Sequence, residues 1–154
     1  MNLKKISTPS DLLAMEQEGS YQLLRDLDCG NAKITKISSC FKGILDGAGH
    51  TVRNLVLTVD DVWSDAQPVA LFYKLRRATV KNIKFENLKI EVPNSVYSFE
   101  VAALCVSAAD SLIENVEVEA TTNLKEKLPL IYSSNNCGYS NVRISSNMIV
   151  NKFN

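Results

Sequence analysis

The sequence predicts an all-β chain wound into a right-handed parallel β-helix, a solenoid of about four to five rungs beneath an N-terminal capping helix. Three observations carry that expectation. One phrase occurs four times: Val52-Arg53-Asn54-Leu55-Val56-Leu57, Val80-Lys81-Asn82-Ile83-Lys84-Phe85, Ile113-Glu114-Asn115-Val116-Glu117-Val118 and Tyr139-Ser140-Asn141-Val142-Arg143-Ile144. Each copy has apolar residues two before, one after and three after the Asn, and its Asn-to-Asn steps of 28, 33 and 26 residues fall in the solenoid range. A second phrase lies ten to twelve residues before each later Asn, as Ala70-Leu71-Phe72, Ala103-Leu104-Cys105 and Pro129-Leu130-Ile131. Finally, the variation in length collects in three stretches, 60–68, 93–100 and 121–127, which always fall between the Asn phrase of one unit and the second phrase of the next. Insertions at equivalent points of stacked units emerge along one edge.

The elements follow in order. Thr8-Pro9-Ser10-Asp11 offers capping residues and a first-turn proline, and Leu12, Leu13 and Met15 can share one helical face, so a capping helix is expected over 8–18, stopped by Gly19. Terminal units of a solenoid must hide apolar surface and unpaired edges, which such a helix does. Rungs occupy 21–145, beginning with the partly alternating Tyr21–Asp28. Between Phe41 and Val52, the glycines and Asp46 set among apolar pairs call for a tight turn with positive φ. Residues 146–154 form a polar tail with a short apolar run, expected to make the last strand or to close the lower end, and 1–154 reads as a single domain.

Units with strands this short bury a face only by stacking, at about 4.8 Å per rung. Leu55, Ile83, Val116 and Val142 are expected in one inward column, with Leu57, Phe85, Val118 and Ile144 in the next. Asn tolerates a left-handed bend and carries both a donor and an acceptor, so Asn54, Asn82, Asn115 and Asn141 are expected to pass hydrogen bonds from rung to rung as a structural ladder. None of the four is a glycan acceptor, because Val, Lys, Glu and Arg stand two residues on.

Seventeen basic and seventeen acidic residues cancel, which removes any net field for nucleic acid or membrane. The N-terminus lacks an apolar signal core and no run approaches a membrane span, so an intact, soluble, cytoplasmic protein is expected. Cys29, Cys40, Cys105 and Cys137 show no zinc spacing and read as free thiols.

The stretch Phe41-Lys42-Gly43-Ile44-Leu45-Asp46-Gly47-Ala48-Gly49-His50-Thr51-Val52-Arg53-Asn54-Leu55 resembles the signature of bacterial right-handed parallel β-helix repeats of the GLUG type, as does Tyr21–Asp28. The Ala-Leu-Phe and Ala-Leu-Cys phrases resemble that family's Gly-Leu-Phe strand. Ala48 stands where the family usually has Asn. The resemblance implies the β-helix fold, makes Asp46 and His50 part of a fold signature, and points to large surface proteins, adhesins and some polysaccharide enzymes as the usual setting.

No nucleophile motif, phosphate loop or metal-ligand spacing is present, so no catalytic residue, metal or cofactor is expected. His50, the only histidine, would need an oriented partner such as Asp46 to act as a base and reads as a turn residue. Trp63, the only tryptophan, sits among Asp60, Asp61 and Asp65, an acidic loop suited to anchoring a protein partner. Arg76 and Arg77 make the middle rung basic, and Tyr97 and Phe99 lie in the second insertion. Lys81 should lie beside Glu114 and Lys84 beside Glu117, as cross-rung ion pairs or as a recognition face. No aromatic platform is interleaved with the basic residues, which argues against nucleic acid. The function expected is a non-catalytic protein–protein interaction module, such as an inhibitor carried by a phage or mobile element against a host defence complex. Its binding residues would be Trp63, Asp60, Asp61, Asp65, Arg76, Arg77, Tyr97 and Phe99, and an uncapped end could support a homodimer. The alternatives are a polysaccharide-acting enzyme on the helix flank and a carbohydrate-binding or adhesin fragment.

Overall fold

The structure, a computed structural model, describes residues 3–59, 67–92, 99–123 and 128–148. The chain opens with strand β1 (Leu3–Ile6) and helix α1 (Pro9–Leu13), then runs through β2 (Ser20–Leu23), β3 (Leu27–Ile34), β4 (Ile44–Asp46), β5 (Thr51–Leu57), β6 (Gln67–Val69) and β7 (Phe72–Arg76). It continues with β8 (Thr79–Ile90), β9 (Phe99–Val101), β10 (Cys105–Ala109), β11 (Leu112–Thr122), β12 (Ile131–Asn135) and β13 (Gly138–Met148). Every strand pairing is parallel. Apart from β1 and β2, the neighbours are non-consecutive strands, so the chain coils as a parallel β-solenoid.

About three turns are complete, with partial turns at either end. One face stacks β1, β2, β4 and the leading halves of β8, β11 and β13, and the next stacks β3, β5 and the trailing halves. A further face stacks β7, β10 and β12, and a short one pairs β6 with β9. Inside, Leu45, Val80 and Ile113 lie in register and are fully buried. Tyr21, Phe41 and Phe72 form an aromatic file, with centroids 6.4 and 5.7 Å apart. The core is filled by side chains from all three long faces.

Two of the corners between faces are made by left-handed residues. Asn82, Asn115 and Asn141 bend β8, β11 and β13 with φ of 55°, 51° and 54°. Five residues earlier, Arg77, Asp110 and Asn136 form a second such corner, with φ of 48°, 50° and 54°. Asn can hydrogen-bond locally at such angles and so tolerates them better than most residues.

The second phrase stacks as expected, Cys105 lying between Phe72 and Ile131. The Asn phrase is in register for three copies, Val116 between Ile83 and Val142, and Val118 between Phe85 and Ile144. The fourth copy is displaced. Val52 lies against Phe85 and Leu57 against Ile90, so Leu55 and Leu57 do not belong to the expected columns. The reason is local. The chain at Asp46-Gly47-Ala48-Gly49 already makes the corner that faces Asn82, with Ala48 at φ 52° and Gly49 at φ 84°. A Cβ on Gly47 would overlap the Asn82 carbonyl, so only glycine fits there. Val52–Leu57 therefore stacks on Phe85-Glu86-Asn87-Leu88-Lys89-Ile90, a fifth instance of the same pattern inside β8.

The capping helix is shorter than 8–18. Thr8 caps it, accepting from Asp11 N at 3.1 Å, while Asp11 Oδ2 accepts from Thr8 N at 3.1 Å. It ends at Leu13 because the backbone just beyond serves the stack, Lys42 N donating to Gln17 O and Ile44 N to Gly19 O. Strand β1 is an unexpected addition, too short to show a period, and it carries the exposed Lys4 and Lys5 on an edge.

Candidate functional site

The side chains that line the outside of the Asn corner build the most developed surface feature. Asn141 Nδ2 donates to Asn115 Oδ1 at 2.9 Å, Asn115 Nδ2 to Asn82 Oδ1 at 3.0 Å, and Asn82 Nδ2 to Asp46 Oδ1 at 3.3 Å. The expected ladder exists, but Asn54 is not part of it. Asn54 belongs to a second ladder, in which Asn87 donates to Asn54 Oδ1 at 2.7 Å and Asn54 to Asp28 Oδ1 at 2.9 Å. A third runs from Asn136 to Asp110 at 2.6 Å. All three point the same way and end in an Asp, a side chain that accepts without needing to donate onward. The repeat of Asn87 after Asn82, and of Asp at 28, 46 and 110, was the signal in the sequence for this pattern.

Alongside the first ladder lies a trough of about 360 Å³ lined by His50, Lys84, Glu117, Arg143 and the ladder residues Asn82, Asn115 and Asn141. His50 meets Asp26 rather than Asp46, Nδ1 to Oδ1 at 3.2 Å. Asp26 also accepts from Thr51 N at 2.9 Å, and this bond, with His50 and Arg53 nearby, holds its carboxyl below its ordinary value. From there a chain of ion pairs crosses the rungs: Arg53 to Asp26 at 3.8 Å and to Glu86 at 3.3 Å, then Lys84 to Glu86 at 3.5 Å and to Glu117 at 3.7 Å. Lys84 thus lies beside Glu117 as the register required, and Lys81 beside Glu114. Glu117 is the single carboxylate among the trough residues, whereas glycoside hydrolysis by the common route needs two across the bond.

The ladder carboxylates are also shifted. Asp28 lies below its ordinary value because Asn54 and Gly30 N donate to it. For Asp46, burial pushes upward, but donation from Ala48 N, Asn82 and Gln22, with the Lys81 charge, outweighs it and the net shift is downward.

The two arginines differ from each other. Arg77 is exposed at the second corner. Arg76 is held down, its guanidinium donating to Leu75 O at 2.9 Å, Ser107 O at 3.0 Å and Ser107 Oγ at 3.1 Å. It staples β7 to β10. Asp60, Asp61, Trp63, Asp65 and Tyr97 lie outside the described residues, and Phe99 is placed only as the first residue of β9, opposite Gln67. The bases of the insertions do stack: Val92 N donates to Asn123 Oδ1 at 3.0 Å and Asn123 Nδ2 to Val92 O at 2.7 Å.

The four cysteines are free. Burial pushes the Cys29 thiol up to about 11 and the Cys105 thiol up to about 12, leaving both protonated and unreactive near neutrality. Among the described residues no group of three potential metal ligands gathers, and no helix is long and apolar enough to cross a membrane.

The two ends of the stack are unlike. At the N-terminal end, α1 and β1 cover the first rung, with Leu12 and Ile6 buried. At the C-terminal end, Leu130, Ile131, Cys137, Val142 and Ile144 face the core but are only partly buried. Tyr139 continues the Leu45, Val80 and Ile113 column and is 48% exposed, and Tyr132 on β12 of the same turn is 53% exposed. Compared with protein-family models, curated proteins and solved structures, the chain finds no match.

Proposed function

We propose that this protein is a non-catalytic protein-interaction module that presents one end and the adjoining flank of a rigid solenoid to another protein. The observation that carries this reading is the asymmetry of the ends. An inward column that is sealed at Leu45, Val80 and Ile113 finishes in a half-exposed Tyr139, next to Val142, Ile144 and Ile131. Contiguous apolar surface of this kind, rimmed by polar residues, marks interaction sites. Tyr is also among the residues that dominate interface energetics. The trough supports binding more than turnover, since its one carboxylate, Glu117, is already paired with Lys84. The narrower readings, an inhibitor acting on a host complex and descent from GLUG-type repeats, are consistent with this module, and the identity of the partner decides the first.

The test is affinity capture from an extract of the source cells with the full chain as bait, beside a Tyr132→Lys, Tyr139→Lys double variant whose circular dichroism matches wild type. The reading expects a stoichiometric partner that the double variant loses and that a His50→Ala variant retains. A partner held equally by wild type and the double variant, together with a turnover that vanishes in His50→Ala, would overturn it.

A further inference from the structure

We propose that the outer edge of β13 is a strand-addition site: it takes an extended segment of a partner protein, parallel to β13, with an Asn opposite Asn141 and an acidic residue opposite Arg143. The proposal rests on the interaction reading above and names the chemistry of the partner.

Three independent features of the last rung specify this occupant. First, β13 pairs with β11 on one side and with no described strand on the other, so its outward N–H and C=O groups form a template. The devices that protect natural edges are sparse here. From Tyr139 to Met148 there is no proline and one charge, whereas the opposite edge, β1, carries two exposed lysines.

Second, the ladder has a direction. Asn82 and Asn115 each donate toward the N-terminal end and accept from the rung beyond. Asn141 donates to Asn115, and its own Oδ1 receives no hydrogen bond among the described residues. The next strand must therefore supply a donor at that register. It must also bend there as Asn141 does at φ 54°, and Asn meets both requirements.

Third, the flank alternates in sign along the stack. Lys84 is beside Glu117 at 3.7 Å, and Glu117 is in register with Arg143. Arg143 is exposed, and the next place in the alternation calls for an acid. Opposite charges on directly facing strand positions stabilise pairing and like charges oppose it. Apolar residues one and three after the Asn would cover Val142 and Ile144.

The chain holds one segment with this pattern, Asn115-Val116-Glu117-Val118, and β13 itself, Asn141-Val142-Arg143-Ile144, lacks it. A second copy joined about a two-fold axis is the wrong occupant. It would run antiparallel, and because β13 contains no acidic residue, no register of that pairing sets an acid opposite Arg143.

The probe is a fluorescein-labelled peptide with the sequence of residues 112–122, titrated into the full chain and read by fluorescence anisotropy. The result expected is saturable binding, weakened at least tenfold when the peptide's Asn is replaced by Ala or its first Glu after that Asn by Lys. In the Arg143→Glu protein the preference should reverse, the Lys peptide binding more tightly than its parent. No binding, or equal affinity of both peptides for wild type and Arg143→Glu, overturns the proposal. So does a monomer–dimer equilibrium in sedimentation that Arg143→Glu shifts, which would assign the edge to a second copy. Protection of the outward β13 amides from hydrogen exchange in the free monomer would assign it to the chain's own residues and overturn it too. Should the peptide fail while the captured partner is still lost in the tyrosine double variant, the strand-addition site falls and the interaction reading stands.

Discussion

At the level of single residues, each ladder Asn does two separable things, and substitutions can divide them. Asn82→Ala loses the amide bonds to Asp46 and Asn115 and also places a Cβ-bearing residue without a local hydrogen bond at φ 55°, for a combined cost of about 2 kcal/mol. Asn82→Gly keeps the bend without strain and loses the bonds, so about 1 kcal/mol is expected. Urea unfolding of the pair checks this, and equal midpoints would show that the bend contributes nothing. Arg76 and Arg77 form a second contrast. Arg76→Ala removes three hydrogen bonds across β7 and β10 and should cost about 1–3 kcal/mol, while Arg77→Gly relieves a left-handed residue and should leave stability unchanged or slightly raised. The neighbouring residues are both basic in the sequence, and nothing there distinguishes the staple from the exposed charge. That distinction depends on Ser107, thirty-one residues away, as part of the next rung.

Among the elements, the repeated Asn phrase and the Ala-Leu phrase made the parallel stack legible, because a period of two in side-chain direction leaves a mark at every rung. What stayed hidden was the offset of β5. Two phrases, around Asn82 and Asn87, lie in the single strand β8, and the compact turn at Asp46–Gly49 takes the place of an Asn opposite the first of them. A turn and an asparagine can occupy the same corner, since the stack demands a conformation and not a residue type. Two ladder ends, Asp28 and Asp46, and the nearby Asp26 give the elements a pH dependence. Asp26, Asp28 and Asp46 all sit below their ordinary values in the folded chain, so their contribution to stability is complete above the unfolded carboxylate value of about 3.9 and is lost as pH falls through the folded values. Melting temperature should therefore hold steady from neutrality to about pH 5 and fall below about pH 4. Asp28→Asn should flatten that fall, and an unchanged acid limb in the variant would show that Asp28 is not among its causes.

For the molecule as a whole, a solenoid's stability is close to a sum over rungs and their contacts with immediate neighbours. Hydrogen exchange should then be slowest in β8 and β11, which are paired on both sides, and fastest in β12 and β13, which among the described residues are paired on one. The buried Cys29 and Cys105 report on the same gradient. A maleimide should label Cys29 and Cys105 only as the rungs open, and Cys137, at the loose end, earlier than either. The alternation of sign from Lys84 to Glu117 to Arg143 also sets a rule for lengthening the rod. Copying the stretch 112–137 once, just after itself, would seat two Glu117 side chains face to face and cost a few tenths of a kcal/mol at the new joint. Copying 79–137 as a block restores every opposite-sign neighbour, so these chains should grow more readily in even numbers of rungs than in odd ones.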